Sequence, residues 1–244
     1  MTSIQIVAEC GINHNGNMTV LREMILRARD CGCTTIKTQL YDSAKLFPSK
    51  ELWIRDKDWY SEVEKTNLTK EQFFQFVEWC KEVEAEPMAS AFDLERLSWL
   101  EEAGVERYKV ASRCVNDTTL LDALEKTGKE VLASVPYGDL SKTLLSKITN
   151  KKLLYCIPEY PCSYQNLHLR KIFRDSDTWN KFSGFSDHTE TIYSSMVAIA
   201  RGATIIERHF CLKRDDSSPD MVCSSEPDEL KQLVEFARKV EEIF

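Results

Sequence analysis

Apolar and polar positions follow two alternating periods along nearly the whole chain. Short runs of β-branched and apolar residues, typical of buried strands, are each followed by a longer stretch with apolar residues at helical spacing. The short runs predict eight strands, near residues 4–9, 34–39, 87–91, 107–111, 130–134, 152–156, 182–186 and 204–209. The longer stretches predict eight helices, near residues 18–31, 69–84, 93–103, 117–126, 139–148, 165–175, 190–201 and 226–242.

Four glycines mark the repeated change from helix to strand. Gly32, Gly104, Gly128 and Gly202 each follow a helical pattern and precede an apolar run, as helix C-cap glycines do. Eight alternating units in 244 residues predict an α/β fold, a single (β/α)8 TIM barrel formed by one domain over residues 1–244. The alternative is an open doubly wound sheet, which would more naturally carry a glycine-rich phosphate fingerprint after the first strand. No such fingerprint is present there.

One connection is much longer than the others. Residues 40–68 contain Trp53, Trp59 and Tyr60, so we expect this segment to pack over the barrel mouth or against a partner. The helix that follows has aromatic residues at helical spacing, which predicts that its apolar face packs on the barrel. That face comprises Phe73, Phe76 and Val77.

Composition narrows the classes of partner. The net charge is −7 and no run of like charge stands out, which disfavours nucleic acid. An acidic protein that binds an anion must therefore do so with a local cluster of donors. The nine cysteines are scattered without a CxxC pair, a pattern typical of reduced cytosolic thiols. With neither a signal peptide nor a membrane-spanning run, we expect a cytoplasmic protein with no membrane partner.

The predicted strands end in polar residues, and the active sites of TIM barrels lie at these ends. Ser186 lies two positions before His188, and Glu207 two positions before His209, so each pair lies on one face of its strand. His14 lies in a turn, where it either lines the site or holds the loop, whereas His168 is expected at the surface. The candidate site residues at or just beyond the strand ends are Glu9, Lys37, Gln39, Ser90, Lys109, Ser112, Ser134, Tyr160, Ser186, His188, Glu207 and His209.

These side chains suggest an anion site beside a metal site. Lys37 and Lys109 among several serines suit a phosphate and a carboxylate, although each lysine could instead simply pair with a glutamate. His188 and His209 suit a divalent metal with open positions, which could polarise a carbonyl. Two hydrogen-bonded core histidines without a metal are the alternative, and spacing alone does not decide between them.

Six motifs together resemble the N-acetylneuraminate (sialic acid) synthase family. They occur in the family's order from residue 4 to about residue 236, and their combination is highly specific. The resemblance implies a TIM-barrel enzyme that condenses phosphoenolpyruvate with an N-acylated aldose, typically N-acetylmannosamine. The products would be a nine-carbon 2-keto acid and phosphate. The motifs are Ala8–Gly16, Ile36–Gln39, Lys109–Ser112, Gly184–Thr189, Ile206–Phe210 and Pro219–Ser224.

The resemblance also implies roles for individual residues. His188 and His209 would bind Mn2+ or Mg2+, and Glu9 and Glu207 would lie close to the reacting atoms. The other positions would bind the substrates, with Lys37, Ser90 and Ser134 at the phosphate, Lys109, Ser112 and Ser186 at the carboxylate end of phosphoenolpyruvate, and Gln39, Tyr160 and Asp220 at the sugar.

Three departures from the family pattern qualify this expectation. The family usually carries a C-terminal antifreeze-like domain, which reaches the partner subunit of a homodimer. We expect this chain to lack that domain, which a separate protein could then supply. Cys114 stands where many members have an acidic residue, so an acid/base role there would be lost or would pass to Glu9, Glu159 or Glu207. Pro158 stands near a position where members often have a polar ligand for the carboxylate.

Two other functions remain compatible with the sequence. One is a metal-dependent keto-acid aldolase or lyase on the same barrel, which would need no phosphorylated substrate. The other is a catalytically impaired barrel that acts as a binding or assembly subunit.

Overall fold

The computed structural model describes residues 3–169 and 182–243 of the chain. Eight parallel strands within these ranges close into a barrel in the order β1-β10-β9-β8-β7-β6-β5-β2, which confirms the predicted TIM barrel. The barrel strands are β1 (Gln5–Gly11), β2 (Thr35–Leu40), β5 (Glu86–Ala91), β6 (Arg107–Val110), β7 (Glu130–Pro136), β8 (Lys151–Cys156), β9 (Phe182–Asp187) and β10 (Ile205–His209). A small antiparallel hairpin, β3 (Trp53–Ile54) and β4 (Lys57–Asp58), lies in the long connection.

Helices surround the barrel, and most begin at a residue whose side chain caps the first turn. Asn17, Asp93 and Asp117 accept hydrogen bonds from main-chain N–H groups, and Thr69 forms a capping box with Gln72. The helices are α1 (Met18–Asp30), α4 (Lys70–Glu82), α5 (Leu94–Glu102), α6 (Thr118–Thr127), α7 (Tyr193–Ala200) and α8 (Pro227–Ile243), with the short α2 (Ser43–Leu46) and α3 (Tyr60–Glu64) in the long connection.

The predicted helix near residues 139–148 is wrong. Two short 3-10 turns, Leu140–Lys142 and Leu145–Lys147, connect β7 to β8 instead. Asp139 accepts a hydrogen bond from the main-chain N–H of Ser141, and Thr143 Oγ1 donates to the carbonyl of Leu140. Such local side-chain bonds compete with the helical pattern, which explains why the apolar spacing was misleading here.

The predicted helix near residues 165–175 lies largely outside the described residues. Its described part begins with a 3-10 turn at Tyr164–Asn166.

The lower part of the barrel interior is filled by an apolar plug, and the polar layer lies directly above it. The plug consists of Val7, Met88, Leu132, Leu154 and Ile205. Side chains alternate along a strand, so the residue two positions after each plug residue points into the same interior one layer higher. Those residues are Glu9, Ser90, Ser134, Cys156 and Glu207. The apolar plug therefore forms the floor of a polar cavity at the C-terminal ends of the strands.

The long connection packs over the barrel mouth, which is one of the two positions predicted for it. Ile12, Tyr41, Trp59 and Val63 form a buried apolar cluster, and Tyr60 is also buried. Trp53 is different, because it is 66% exposed at the hairpin. The predicted barrel-facing residues of α4, Phe73, Phe76 and Val77, are all buried. Within the described residues, no helix is both long and apolar enough to cross a membrane.

Candidate active site

A small cavity of about 40 Å³ above the plug gathers every predicted site residue except Asp220. Strand register brings the side chains together, because Glu9 is paired with Lys37, Glu207 with Ser186, and Ser90 with Lys109. Cys156 and Phe92 also line this cavity, although neither was among the predicted site residues. Cys156 ends β8, and Phe92 follows Ser90 by two positions, so strand period alone could have indicated both.

The two lysines share a glutamate at the centre of the cavity. Lys37 Nζ contacts a carboxylate oxygen of Glu9 and lies 3.7 Å from Glu207 Oε2. Lys109 Nζ lies 3.3 Å from Glu207 Oε1 and donates a hydrogen bond of 2.8 Å to Ser134 Oγ. The glutamate pairing that the sequence left open is therefore present. Both lysines nevertheless line the cavity, so they can contact a ligand there although each is paired with a glutamate.

Burial and charge act in opposite directions on the ionisable groups of this cluster. Burial lowers the pKa of Lys37 to about 8 and outweighs the attraction of Glu207. Burial would raise the pKa of Glu207, but Lys109, Lys37 and a hydrogen bond from Ser186 together hold it well below its ordinary value. Glu207 is therefore a carboxylate at neutral pH, held between two cationic side chains.

The two histidines lie side by side, with ring centroids 5.4 Å apart. The Tyr160 ring stacks on His188 at 4.2 Å and meets His209 edge-on at 5.8 Å. His188 Nδ1 lies 2.8 Å from the carbonyl oxygen of Ile157. A carbonyl can only accept, so Nδ1 carries the proton and Nε2 keeps a free lone pair. Burial lowers the pKa of His188 to about 4 and lowers that of His209 still more strongly.

Asp220 approaches the histidines from the loop after β10. Its Oδ2 atom lies 3.3 Å from His209 Nδ1. Burial raises the pKa of Asp220 to about 7, against the lowering effect of Lys37. Gly11 ends β1 with φ +49°, and a Cβ atom there would lie 3.2–3.3 Å from side-chain atoms of Asp220, Glu9 and Gln39. Glycine at this position therefore leaves room for three polar groups to converge.

Two imidazoles and their surroundings fit a divalent metal that keeps open positions. The carbonyl of Ile157 binds Nδ1 of His188 and fixes the ring, as carbonyl groups do for histidines that bind a metal through their other nitrogen. His209 Nδ1 and Glu9 Oε1 are buried without a hydrogen-bond partner. Within residues 3–169 and 182–243, no group of three His, Cys, Asp or Glu side chains has the spacing of a metal site. A metal here would thus have two imidazole ligands and take its others from water or substrate.

A buried ion pair is formed by the two residues that directly precede the histidines in sequence. Arg208 Nη1 is 3.4 Å from Asp187 Oδ1, and both side chains are fully buried. Asp187 also accepts hydrogen bonds from Thr189, Ser194 and Ser195. Each member of the pair precedes one of the histidines in sequence, so the pair joins the ends of β9 and β10 on the strand face opposite the cavity.

A larger outer cavity of about 380 Å³ opens above the polar layer. Asp220 lines the outer cavity. Gln39, Ser112 and Tyr160 line both cavities, so the two cavities adjoin each other. Pro158 and Arg113 also line the outer cavity. Arg113 was not predicted, because it follows a strand end without any repeated pattern to mark it.

The remaining expectations concern side chains outside the polar layer. Cys114 is buried, and burial raises the pKa of its thiol to about 11, so it stays protonated at neutral pH. Glu159 accepts a hydrogen bond from Asn166. His168 is exposed, as predicted. His14 is fully buried, and its Nδ1 accepts a hydrogen bond from the main-chain N–H of Gly16, so it holds the loop.

Comparison with known proteins gives a consistent assignment. A family model described as the NeuB family matches residues 24–244. The N,N'-diacetyllegionaminic acid synthase of Campylobacter jejuni is 28% identical over 99% of this chain and 77% of its own length. The N-acetylneuraminate-9-phosphate synthase of Drosophila melanogaster is 31% identical over 95% of this chain and 66% of its own length.

A solved structure agrees with these sequence matches. The crystal structure of N-acetylneuraminic acid (sialic acid) synthetase from Leptospira borgpetersenii, in complex with citrate, superposes with a TM-score of 0.87 at 29% identity. The superposition covers 99% of this chain and 85% of the Leptospira chain.

Proposed function

This chain belongs to the NeuB family, and from that premise we propose that it condenses phosphoenolpyruvate with an N-acylated aldose, N-acetylmannosamine or a related sugar. The products are a nine-carbon 2-keto acid of the sialic-acid type and inorganic phosphate. The observation that carries the proposal is the single polar layer in which two lysines and several serines lie beside two histidines.

The lysines and serines provide the donors that an anionic substrate needs. Lys37, Ser90 and Ser134 bind the phosphate of phosphoenolpyruvate, whereas Lys109, Ser112 and Ser186 bind its carboxylate. Lysine contributes a point charge, and hydroxyl groups donate hydrogen bonds without bulk. The close contact between Lys109 and Ser134, at 2.8 Å, supports this arrangement because it joins the two donor groups.

The charges of the side chains that line the cavity explain why a cation fits the proposal. Glu9 and Glu207 offset Lys37 and Lys109, so these four side chains alone leave little surplus positive charge for a trianion. A divalent ion, Mn2+ or Mg2+, held by His188 and His209 would restore that surplus. When bound, such an ion supplies Lewis-acid stabilisation of negative charge on a carbonyl oxygen.

The aldose lies between the histidines and the outer cavity. Gln39, Tyr160 and Asp220 line that region and offer an amide, a phenol and a carboxyl group as hydrogen-bond partners. The aldehyde end of the open-chain sugar faces the polar layer, where the enol carbon of phosphoenolpyruvate can reach it.

In the reaction, the enol carbon of phosphoenolpyruvate forms a C–C bond to the aldehyde carbon, and the aldehyde oxygen becomes a hydroxyl group. Water adds to C2 of phosphoenolpyruvate and gives up a proton. The C–O bond to phosphate then breaks, which leaves the keto group and inorganic phosphate. Glu9 or Glu207 takes the proton of the water, because both are buried carboxylates that line the cavity. This proton balances the one that the aldehyde oxygen gains, and the hydroxyl proton left on C2 leaves with the phosphate. Holding both substrates in one cavity provides much of the rate.

The experiment is a phosphate-release assay with phosphoenolpyruvate and a panel of N-acyl hexosamines, with and without Mn2+. We expect release only when both substrates are present, and its loss in His188→Ala. Release without sugar would contradict the proposal. Calorimetric binding of phosphoenolpyruvate with no turnover on any acceptor would instead identify a binding subunit.

A further inference from the structure

We propose that Asn13 is a positioning residue that holds Asp220 beside His209. It acts through the hydroxyl groups of Ser218 and Ser224, which bind the main chain of Asp220. This inference rests on the function proposed above, which assigns Asp220 to the aldose, and it adds to that function a residue that lines neither cavity.

Asn13 lies in the turn after β1, and its side chain reaches the loop after β10. The residue is only 2% exposed. Its Nδ2 atom donates hydrogen bonds of 2.9 Å to the carbonyl of Phe210 and 2.7 Å to Ser224 Oγ. Its Oδ1 atom accepts a hydrogen bond of 3.0 Å from Ser218 Oγ. Because the carbonyl of Phe210 can only accept, the amide nitrogen must face it, and the side chain has one orientation.

The two serines extend these hydrogen bonds to the main chain of Asp220. Ser218 gives its proton to Asn13, so its oxygen can accept the main-chain N–H of Asp220 at 3.2 Å. Ser224 accepts from Asn13 and donates its own proton to the main-chain carbonyl of Asp220 at 2.7 Å. The amide, the two hydroxyls and the main chain of Asp220 thus form a closed ring of hydrogen bonds. Buried bonds of this kind polarise and strengthen one another.

The ring fixes the loop after β10 at a different place from the bonds at its base. At the base, the main-chain N–H of Ser225 donates to the carbonyl of His209 at 2.8 Å. Closer to Asp220, Arg55 donates a longer hydrogen bond of 3.4 Å to the carbonyl of Pro219. The ring therefore ties the main chain of Asp220 to the end of β1, whereas the base of the loop is tied to β10.

The position of Asp220 matters because its side chain must reach two neighbours at once. Its Oδ2 atom lies 3.3 Å from His209 Nδ1, and the residue lines the outer cavity assigned to the aldose. A displacement of about 1 Å in a positioning group can lower the rate by roughly a hundredfold. The described lining of the two cavities does not include Asn13, Ser218 or Ser224, so their effect on the aldose must pass through a neighbour.

The first test measures aldose use and phosphoenolpyruvate binding in Asn13→Ala. We expect kcat/KM for the best acceptor of the panel to fall by roughly tenfold to a hundredfold. The calorimetric Kd for phosphoenolpyruvate should stay at the wild-type value. Asn15→Gly is the matched control on the same turn, because it removes an exposed hydrogen bond to Ser217 and glycine accepts the φ of +51°. An unchanged kcat/KM in Asn13→Ala, or an equal loss in Asn15→Gly, would overturn the inference.

The second test asks whether Asn13 acts through Asp220. Asp220→Ala should lower kcat/KM for the same acceptor, and adding Asn13→Ala should cause no further loss, because no carboxylate is left to position. An independent structural role would instead multiply the two losses. Ser224→Ala allows the same cycle with a milder change, since Asn13 keeps its hydrogen bond to Phe210. Multiplied losses in either cycle would overturn the inference.

The third test is independent of turnover. Hydrogen exchange of the peptide over residues 219–225 should be faster in Asn13→Ala and Ser224→Ala than in the wild type, because the ring no longer holds the loop. Asn15→Gly should exchange like the wild type. Unchanged exchange in Ser224→Ala would overturn the positioning role whatever the activity. Faster exchange together with a wild-type protein that turns over no acceptor would count against the proposed function alone.

Discussion

At the scale of single residues, the site depends on a balance of buried charges. Glu207 lies between Lys37 and Lys109, and Ser186 donates a hydrogen bond of 2.8 Å to it. A buried charge is tolerable only when it is paired and hydrogen-bonded, which each of these contacts provides. Ser134 completes the arrangement as a hydrogen-bond partner of Lys109.

Replacing Ser134 with alanine tests that partner. The change removes a hydroxyl donor from the proposed phosphate site and one partner of Lys109. A hydrogen bond to a charged group contributes about 1.5–3 kcal/mol, so the Kd for phosphoenolpyruvate should rise by roughly tenfold to a hundredfold. Isothermal titration calorimetry measures this Kd, and Ser98→Ala, at an exposed serine, is the control. An unchanged Kd in Ser134→Ala would show that this serine does not bind phosphoenolpyruvate.

His14 makes the folding stability sensitive to pH. Burial lowers its pKa from 6.5 to about 4, so the unfolded chain binds the proton more tightly than the folded one. The contribution to stability is therefore fully present above pH 6.5 and is lost as the pH falls towards 4. Between pH 7 and pH 5, protonation linked to His14 should lower the free energy of unfolding by about 2 kcal/mol.

Urea unfolding at pH 7 and pH 5 measures the loss. His14→Gln has no group that titrates in this range, so its unfolding free energy should fall less than that of the wild type between the two pH values. His168→Gln, at an exposed histidine, should behave like the wild type. Equal pH dependence in the wild type and His14→Gln would contradict the assignment.

At the scale of elements, the ends of β9 and β10 act as one unit. His188 directly follows β9 and His209 ends the neighbouring β10, and the Asp187–Arg208 pair joins the two strands one residue before the histidines. Because both charges are fully buried, removing one leaves the other without compensation.

Asp187→Asn should therefore be strongly destabilising. We expect a loss of about 3–5 kcal/mol in the free energy of unfolding, because Arg208 stays buried without its carboxylate. Asp122→Asn is the control, since Asp122 pairs with Lys147 at the surface. Its loss should stay below about 1 kcal/mol. Chemical denaturation that gave similar losses for both variants would refute the role of the buried pair.

Gly184 keeps the same two strands close together. A Cβ atom at this position would overlap the carbonyl oxygen of Ile205 and crowd the side chain of Leu154. Gly184→Ala should therefore lower the melting temperature clearly more than Gly104→Ala. At Gly104 a Cβ atom meets open space and the only cost is backbone strain at φ +70°. The reverse order would show that β9 and β10 can separate without penalty.

Helices and strands were predicted correctly where the spacing of apolar residues agreed with the positions of helix-capping residues. The eight strands, the C-cap glycines and the buried face of α4 all follow from local signals, and the structure confirms them. Between β7 and β8 the apolar spacing suggested a helix, but hydrogen bonds from Asp139 and Thr143 hold two 3-10 turns instead. Local competition of this kind is invisible to a periodicity count.

At the scale of the whole molecule, barrel closure turns scattered residues into one site. The family membership predicted from the motifs is confirmed, and the chain is an enzyme of that family. The strand ends were predictable because a parallel barrel brings them together at one face. The shape of the outer cavity was not predictable, because it depends on how the connection over residues 41–68 folds back onto Ile12 and Phe92.

The most direct measurement follows phosphate and keto acid together in one reaction of phosphoenolpyruvate with the acylated aldose. The account predicts that each phosphate released is matched by one molecule of a new nine-carbon 2-keto acid, and that neither forms when the aldose is omitted. Phosphate accompanied by pyruvate and not by the nine-carbon 2-keto acid would mean simple hydrolysis. Keto-acid turnover without phosphate would mean an aldolase. Either result would contradict the proposed condensation.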